Sequence, residues 1–426
     1  AINDLGFPVF DCDNHYYEAL DAFTRHLPGG GSPRTVQWAT INGRQYPVIG
    51  GRVSRVVTNA TFDPIAKAGA MYDYFRGNPD QRFPLDFLKD REPIRPEYRE
   101  REARLEVMDA QGIDRVWMFP TLGMLYEELL KHDTPALTQV FTAFNRWVEE
   151  DWGFNFRNRI FAAPYITLAD VDHAVAELEY ALARDARVVV RRPAAAFTPN
   201  GPRTPADPEF DPFWARVNES GITVVVHAGD SGYLSNGYAA DGFAATFEGA
   251  ERPSIKMLTM ERAIYDFLAS LVFDRLFERF PNVRVASVEN GAEFLPDLFR
   301  KLSSTHKRIP GFFPEDPIET FRRNIWINPF WEDDPYVIAD LVGEGRVLFG
   351  SDWPHIECVP EPLSYERELK DFSDEARRRI LHDNTAHATQ TIRTSAPTNR
   401  LRLASEAAAR KPPLPPREVS ADTMSR

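Results

Sequence analysis

The chain has 426 residues, 43% of them hydrophobic and 27% charged, a composition typical of folded soluble proteins rather than of disordered or membrane proteins. Acidic residues outnumber basic ones by 63 to 50, and the resulting net charge of -13 disfavours a polyanionic partner such as nucleic acid. The two cysteines form no CxxC pattern, no apolar run reaches the roughly 18 residues of a membrane span, and the first residues lack a signal-peptide pattern. We therefore expect a cytoplasmic protein.

The first predicted element is a short buried strand over residues 8–15, whose end, Asp11-Cys12-Asp13-Asn14-His15, is crowded with polar groups. A hairpin is predicted between residues 35 and 49, because Asn42-Gly43 between two alternating segments is a strong turn signal. The residues that follow are rich in proline, glycine and aromatic side chains without periodicity. We interpret residues 28–98 as an insertion after the first strand.

From residue 100 onward, predicted helices and strands alternate. The further predicted strands are residues 113–119, 160–166, 187–190, 222–226, 283–288, 325–327 and 346–349. The predicted helices between them are residues 100–111, one through 141–148, 168–184, 208–220, 261–280, 292–302 and 333–341. This order predicts an α/β fold with right-handed crossovers and a parallel sheet, and eight strands favour a closed (β/α)8 TIM barrel. The sequence contains neither GxGxxG after a strand nor GxxxxGK[ST], so the common dinucleotide-binding and P-loop folds are excluded.

Two segments outside this alternation also enter the prediction. A long loop at 228–258 and the loop at 69–84 contain aromatic residues, namely Tyr72, Tyr74, Phe75, Tyr233, Tyr238, Phe243 and Phe247. They indicate either a lid over a bulky apolar substrate or packing against a dimer partner. We assign residues 1–390 to the barrel domain and residues 391–426 to a proline-rich C-terminal tail that wraps a neighbour or stays mobile.

Several predicted strands end in residues that can bind a metal ion, and in a parallel barrel these ends meet on one face. Strand one carries Asp13 and His15 at a spacing of two, with Asp11 two positions earlier, so all three can point into the barrel. Strand five ends in His227, and Asp352 follows strand eight. Taken singly, each of these residues is explained as readily by a role in capping or in a structural hydrogen bond as by a role in metal binding. Together, two carboxylates and two imidazoles form a suitable shell for one divalent metal with an open position.

Two other strand ends carry charged residues. Arg191 and Arg192 end strand four, where one of them binds a substrate carboxylate or both make ordinary ion pairs. Glu289 follows strand six as either a general acid/base or a group that orients a metal-binding histidine, and we favour the second role.

The sequence resembles the amidohydrolase superfamily, in particular its large branch of metal-dependent TIM-barrel hydrolases and decarboxylases. The matching segments, in family order, are DCDNHYYE at 11–18, RLEVMDAQGID at 104–114, VHAG at 226–229, ERFP at 278–281, VENGA at 288–292 and LFGSDWPH at 348–355. The resemblance implies one divalent ion held by Asp13, His15, His227 and Asp352. We further expect Tyr17 to contact the substrate and His355 to hydrogen-bond the substrate or orient Asp352. The family and the tail both indicate at least a dimer.

This chain departs from the family pattern at two positions. The first strand-one ligand is Asp13, where the family often has histidine or glutamate. Glu289 stands near the place where many relatives, the decarboxylases among them, carry a histidine thought to transfer protons. The second departure weakens a decarboxylase assignment. Because Arg191 and Arg192 stand where a bridging lysine would be needed, a binuclear site is also disfavoured.

The sequence therefore predicts a metal-dependent hydrolase that acts on a C–N or C–O bond, as in an amide, ester or lactone, of a bulky aromatic or anionic small molecule. Zinc is the first choice of metal, and manganese and iron also suit nitrogen and oxygen ligands. Asp352 is expected to accept the proton of the attacking water. The alternatives are a non-oxidative decarboxylase or hydratase of an aromatic or cyclic acid, and a non-catalytic barrel scaffold.

Overall fold

Seven parallel strands and one further segment form the barrel in the computed structural model, which describes residues 4–57, 59–233, 259–330 and 333–392. The strands are β1 (Phe10–His15), β2 (Arg115–Phe119), β3 (Ile160–Ala162), β4 (Val188–Arg191), β5 (Thr223–His227), β6 (Arg284–Val288) and β7 (Ile325–Ile327). They pair in parallel as β1-β2-β3 and as β4-β5-β6-β7.

Isolated parallel contacts close the ring between these two groups. Tyr165, just beyond β3, bridges to Val190 of β4. The eighth segment, residues 347–349, pairs on both sides, since the Leu348 amide donates to Ile327 and the Cys12 amide donates to Phe349, at 2.9 and 2.8 Å. The predicted TIM barrel is therefore confirmed, although its last member is too short and irregular to form a regular strand.

Helices surround the barrel in the predicted order. They are Arg101–Ala110, Gly123–Leu130, Thr134–Asp151, Val171–Leu182, Asp211–Ser220, Thr259–Phe273, Leu276–Arg279, Leu295–Arg308, Pro317–Asn324 and Pro335–Val342. The helix predicted over 261–280 is interrupted at Arg275, whose φ of 56° is left-handed. The helices Gly123–Leu130 and Pro317–Asn324 were not predicted; each spans only eight residues.

The insertion contains the predicted hairpin, formed by Val36–Ile41 and Arg44–Ile49, with Asn42 and Gly43 at positive φ in the turn. A second small pair joins Ile65–Ala66 to Arg91–Glu92. These elements follow β1 in the chain, and residues of this insertion contribute to the cavity described below.

C-terminal helices contact the end of the barrel at which the strands begin. Within Asn384–Ala388, the Ala388 carbonyl accepts a hydrogen bond of 2.6 Å from Thr223, the first residue of β5. Asn384 donates to the Val347 carbonyl at 2.8 Å. The opposite ends of the strands are left to carry polar side chains. Within the described residues, no helix combines the length and apolar character that a membrane crossing requires.

Candidate metal centre

The predicted metal ligands meet at the carboxyl ends of the strands. Asp13 and His15 end β1, His227 is the last residue of β5, and Asp352 follows the eighth segment. All four side chains are buried, and Glu289, which follows β6, is buried beside them. The parallel barrel brings these residues together from positions more than 300 residues apart in the sequence.

The shortest distances centre on the two histidines. His227 Nε2 lies 3.3 Å from Asp13 Oδ1 and 3.2 Å from His15 Nε2. His15 Nε2 also lies 3.3 Å from Asp13 Oδ1 and 3.3 Å from Asp352 Oδ1. Three imidazole and carboxylate groups from β1 and β5 therefore face one small volume, and Asp352 approaches the same nitrogen of His15.

Two overlapping sets of donor atoms satisfy metal-binding distances. Within each set the donor atoms lie within 4.8 Å of one another; the first is Asp13, His15, His227 and Glu289, and the second is His15, Glu289, Asp352 and His355. His15 uses the same Nε2 atom toward Asp13 and toward Asp352, and one imidazole nitrogen binds one ion. The two sets share His15 and Glu289 and therefore form one buried cluster, for which the sequence predicts a single ion.

Glu289 faces the metal-binding nitrogens rather than the far side of a histidine ring. Its Oε2 lies 2.9 Å from His227 Nε2 and 3.4 Å from His15 Nε2. The other ring nitrogen of His227, Nδ1, donates to the Ala228 carbonyl at 2.8 Å, so a backbone group orients this histidine. The geometry thus favours Glu289 as a ligand, in place of the orienting role favoured from the sequence.

Glu289 and Asp352 share an unusual backbone conformation. Their φ angles are 59° and 61°, in the left-handed region that non-glycine residues enter at a cost of about 1–2 kcal/mol. Both lie directly beyond a barrel strand, where this conformation turns a carboxylate toward the cluster. Such strain is common at functional sites, where the surrounding structure maintains it.

Charge pairing shifts the pKa values of these groups strongly. Burial alone would lower the pKa of His227, but the carboxylates of Glu289 and Asp13 raise it to about 10. Burial raises the pKa of Asp352 well above its usual value, and Glu289 raises it further. The pKa of Glu289 is lowered, because His227 and His15 outweigh the opposing effect of burial. Positive charge therefore stabilises this cluster of carboxylates, and either bound protons or a divalent cation can supply it.

Unsatisfied buried atoms test whether a metal fits these residues. Among the described residues, no hydrogen bond of acceptable geometry reaches Asp13 Oδ2, Glu289 Oε2 or either carboxylate oxygen of Asp352. Buried carboxylate oxygens without donors are costly, and a cation at their centre removes this cost. The donors are nitrogen and oxygen atoms, which suit zinc, manganese and iron. The residues therefore fit a divalent metal.

Neighbouring side chains fix the position of the β1 ligands. Asp11 does not join the cluster; it accepts hydrogen bonds from the Asp13 and Ser351 amides at 3.0 and 2.9 Å and ties β1 to the eighth segment. An irregular register between Asp11 and Asn14 breaks the alternation that the sequence predicted for this strand. The buried Arg104 guanidinium donates to the His15 carbonyl at 2.7 Å, a role that the sequence alone did not indicate.

His355 links the cluster to the substrate side. Its ring stacks on His15 with centroids 3.8 Å apart, and its Nδ1 lies 2.8 Å from Asp352 Oδ1. Its Nε2 lies 2.9 Å from the hydroxyl of Thr121. Burial lowers the pKa of His355 well below its usual value, and the charge of His15 lowers it further, so the ring is neutral.

A cavity of about 250 Å³ opens beside the cluster. His15, His227, Glu289 and His355 line one part of it, whereas Asp13 and Asp352 are not among its lining residues. The rest of the described wall is mostly apolar and includes Val56, Phe62, Ile65, Leu88, Met124 and Leu125. Tyr17, the predicted substrate contact, also lines the cavity, with its hydroxyl donating to the Pro354 carbonyl at 3.1 Å.

Arg191 and Arg192 do not line this cavity, contrary to their predicted contact with substrate. Arg192 Nη1 donates to Glu128 Oε2 and to the Asp230 carbonyl, both at 2.6 Å. Arg191 lies over the ring of Phe267. Arg192 is paired with Glu127 and Glu128 of the unpredicted helix Gly123–Leu130, which explains the error for this residue.

The described members of the predicted aromatic lining, Tyr72, Tyr74, Phe75 and Tyr233, are not in this wall either. Tyr72 and Phe75 line a separate small cavity, and the hydroxyl of Tyr233 contacts Asp266. Tyr238, Phe243 and Phe247 lie outside the described residues, as does the tail beyond residue 392.

Sequence reasoning missed further polar groups at the site. Thr121 and Asn328 follow β2 and β7, and the Asn328 side chain accepts a hydrogen bond of 3.3 Å from the Glu289 amide. Both residues follow a barrel strand, so the expectation that polar residues at strand ends face the site would have identified them. Glu357 lines the cavity from a loop, where the sequence carries no comparable signal.

Comparisons with known proteins agree with this architecture. The family model described as amidohydrolase matches residues 11–388. The crystal structure of amidohydrolase map2389c from Mycobacterium avium subsp. paratuberculosis K-10 is 42% identical, covers 91% of this chain and 99% of its own, and has a TM-score of 0.85.

Two more distant structures share the fold. A 2,6-dihydroxybenzoate decarboxylase from Rhizobium is 17% identical, with 68% of this chain and 87% of that chain covered and a TM-score of 0.52. A 5-carboxyvanillate decarboxylase from Novosphingobium aromaticivorans DSM 12444, complexed with manganese, is 13% identical, with 91% and 97% covered and a TM-score of 0.57.

Proposed function

The chain belongs to the amidohydrolase family, and from this premise we propose that it is a metal-dependent hydrolase of a bulky small molecule with an amide, ester or lactone-like bond. The observation that carries the proposal is the buried convergence of Asp13, His15, His227 and Glu289, the last three of which line a largely apolar cavity. A purely structural cluster has no reason to border a cavity of this size while leaving carboxylate oxygens without hydrogen bonds.

Asp13, His15, His227 and Glu289 would hold the ion, with Asp352 at its edge beside His15. A bound divalent metal supplies Lewis acidity, which polarises a carbonyl group and acidifies water. Zinc is our first choice on the basis of the two imidazoles, and manganese and iron suit the same donors. The carboxylate-rich composition supports a divalent ion of any of these three kinds.

Proton transfer falls to Asp352 and His355. Asp352 carries a carboxylate without a hydrogen-bond donor of good geometry, and burial with nearby negative charge raises its proton affinity. It accepts the proton of the attacking water and returns it to the leaving group. His355 lies between Asp352 and the cavity, so it positions Asp352 and offers a hydrogen bond to the substrate.

A non-oxidative decarboxylase is the second candidate. Solved structures with this fold are named as decarboxylases of 2,6-dihydroxybenzoate and 5-carboxyvanillate, and an apolar cavity of about 250 Å³ also suits an aromatic acid. Glu289 at the end of β6 argues for hydrolysis, because the sequence lacks a histidine at this place.

Product analysis separates the two reactions. Metal-loaded protein is incubated with a panel of aryl esters, aryl amides, lactones and hydroxybenzoates in ¹⁸O-labelled water and, separately, in D₂O. Hydrolysis places ¹⁸O in the product without gas release. Release of one carbon dioxide per turnover, with deuterium on the product ring, would instead establish the decarboxylase. His227→Ala is the control, since it should abolish either activity.

Three other expectations from the sequence stay predictions: a homodimer or higher homo-oligomer, a cytoplasmic location, and a small-molecule substrate with no nucleic-acid or membrane partner. The scaffold alternative predicts a protein that takes up no divalent metal.

A further inference from the structure

The cavity wall contributed by the insertion carries one unusual charged residue. Among the described residues that line the cavity, Arg91 is the one arginine or lysine. It lies in the short strand Arg91–Glu92, opposite Ala66, which also lines the cavity. The barrel therefore supplies the metal-binding wall, and the insertion supplies a cation on the wall of the same cavity.

Arg91 also differs from neighbouring cations in having no acidic partner. Lys67 pairs with Asp90 at 2.8 Å, and Arg95 pairs with Glu97 at 3.1 Å. No described carboxylate lies within ion-pair distance of Arg91, whose side chain donates through Nε to the Leu88 carbonyl at 3.2 Å. This bond fixes the inner part of the guanidinium and leaves its terminal nitrogens available.

We propose that Arg91 binds an anionic group of the substrate, so that the enzyme selects organic acids whose apolar body fills the cavity. A guanidinium presents a planar pair of donors that matches a carboxylate. The contact takes the role that the sequence assigned to Arg191 and Arg192, neither of which lines the cavity. The inference rests on the proposed function insofar as it names the substrate class of that site.

The test measures anion selectivity without turnover. The probes are 2-naphthalenesulfonate and its neutral analogue methyl 2-naphthyl sulfone, because a sulfonate is a weak metal ligand and still an anion for arginine. Binding of each to the purified protein is measured by calorimetry. We expect the wild type to prefer the sulfonate by about fivefold, the gain typical of a partly solvated ion pair.

Arg91→Gln should abolish this preference and leave the affinity for the sulfone unchanged. Arg91→Lys should retain part of it. Arg44→Gln, which removes the same charge from an exposed hairpin position, is the matched control and should keep the preference. An unchanged preference in Arg91→Gln, or an equal loss in Arg44→Gln, would overturn the assignment. Because no step depends on metal or turnover, this result is independent of whether the hydrolase proposal holds.

Discussion

Replacement of Glu289 by glutamine tests its place among the metal ligands. The substitution keeps the shape of the side chain but removes the charge 2.9 Å from His227 Nε2 and 3.4 Å from His15 Nε2. Groups that act on a metal through one of its ligands change the affinity by about 10–100-fold. A carboxylate that contacts the ion directly must contribute more, so we expect Glu289→Gln to weaken metal binding by more than about 100-fold.

The assay is a titration of metal-free protein with zinc and with manganese in chelator buffers, with bound metal measured by elemental analysis. It is run at pH 9, because Glu289 raises the pKa of His227 to about 10 and protons compete less at higher pH. Glu357→Gln is the matched control, since Glu357 lines the same cavity but belongs to neither donor set. Thermal unfolding verifies that both variants fold. Equal affinities of the two variants, within tenfold, would refute the ligand assignment.

Three further substitutions test the account. Gly350→Ala places a Cβ atom 2.6 Å from the Cβ of Asp13, so it should lower the free energy of unfolding by about 1–3 kcal/mol and reduce the amount of bound metal. Gly345→Ala, with open space around the new Cβ atom, should change neither quantity. Burial raises the pKa of Glu18 from 4.5 to about 7, so the folded state binds more protons than the unfolded state in this range. Glu18 should therefore account for a loss of about 3 kcal/mol of unfolding free energy as the pH rises from 4 to 8, and in urea melts the loss of Glu18→Gln should be smaller than that of the wild type by this amount; parallel pH profiles would contradict it. Asp352→Asn should abolish turnover while bound metal, measured by elemental analysis, falls less than in His227→Ala; full activity of Asp352→Asn would exclude its role as proton acceptor.

The barrel could be predicted because its strands are short apolar runs separated by amphipathic helices. Val188–Arg191 and Thr223–His227 are buried throughout, as such runs require. The positions of Asp13, His15, His227 and Asp352 followed from one rule, that parallel strand ends converge. The eighth strand was predicted over residues 346–349, but Arg346 ends a 3-10 turn and the segment makes only isolated parallel contacts.

What could not be predicted depends on side-chain direction and on contacts between distant segments. The role of Glu289 is set by a left-handed backbone conformation that its sequence does not indicate. The local sequence around Arg192 does not indicate whether its side chain contacts a substrate or Glu128. The tertiary structure determines this partner. Arg91 belongs to an insertion without periodicity, so no pattern placed it at the cavity.

Metal content is the most direct test of the central claim. Protein purified without chelators is analysed for zinc, manganese and iron, and a crystal of the same sample is measured at the absorption edge of the metal found. We predict about one equivalent per chain and a single anomalous peak bonded to Asp13, His15 and His227. A protein that takes up no divalent ion when supplied with all three, or an anomalous peak away from these residues, would contradict the account.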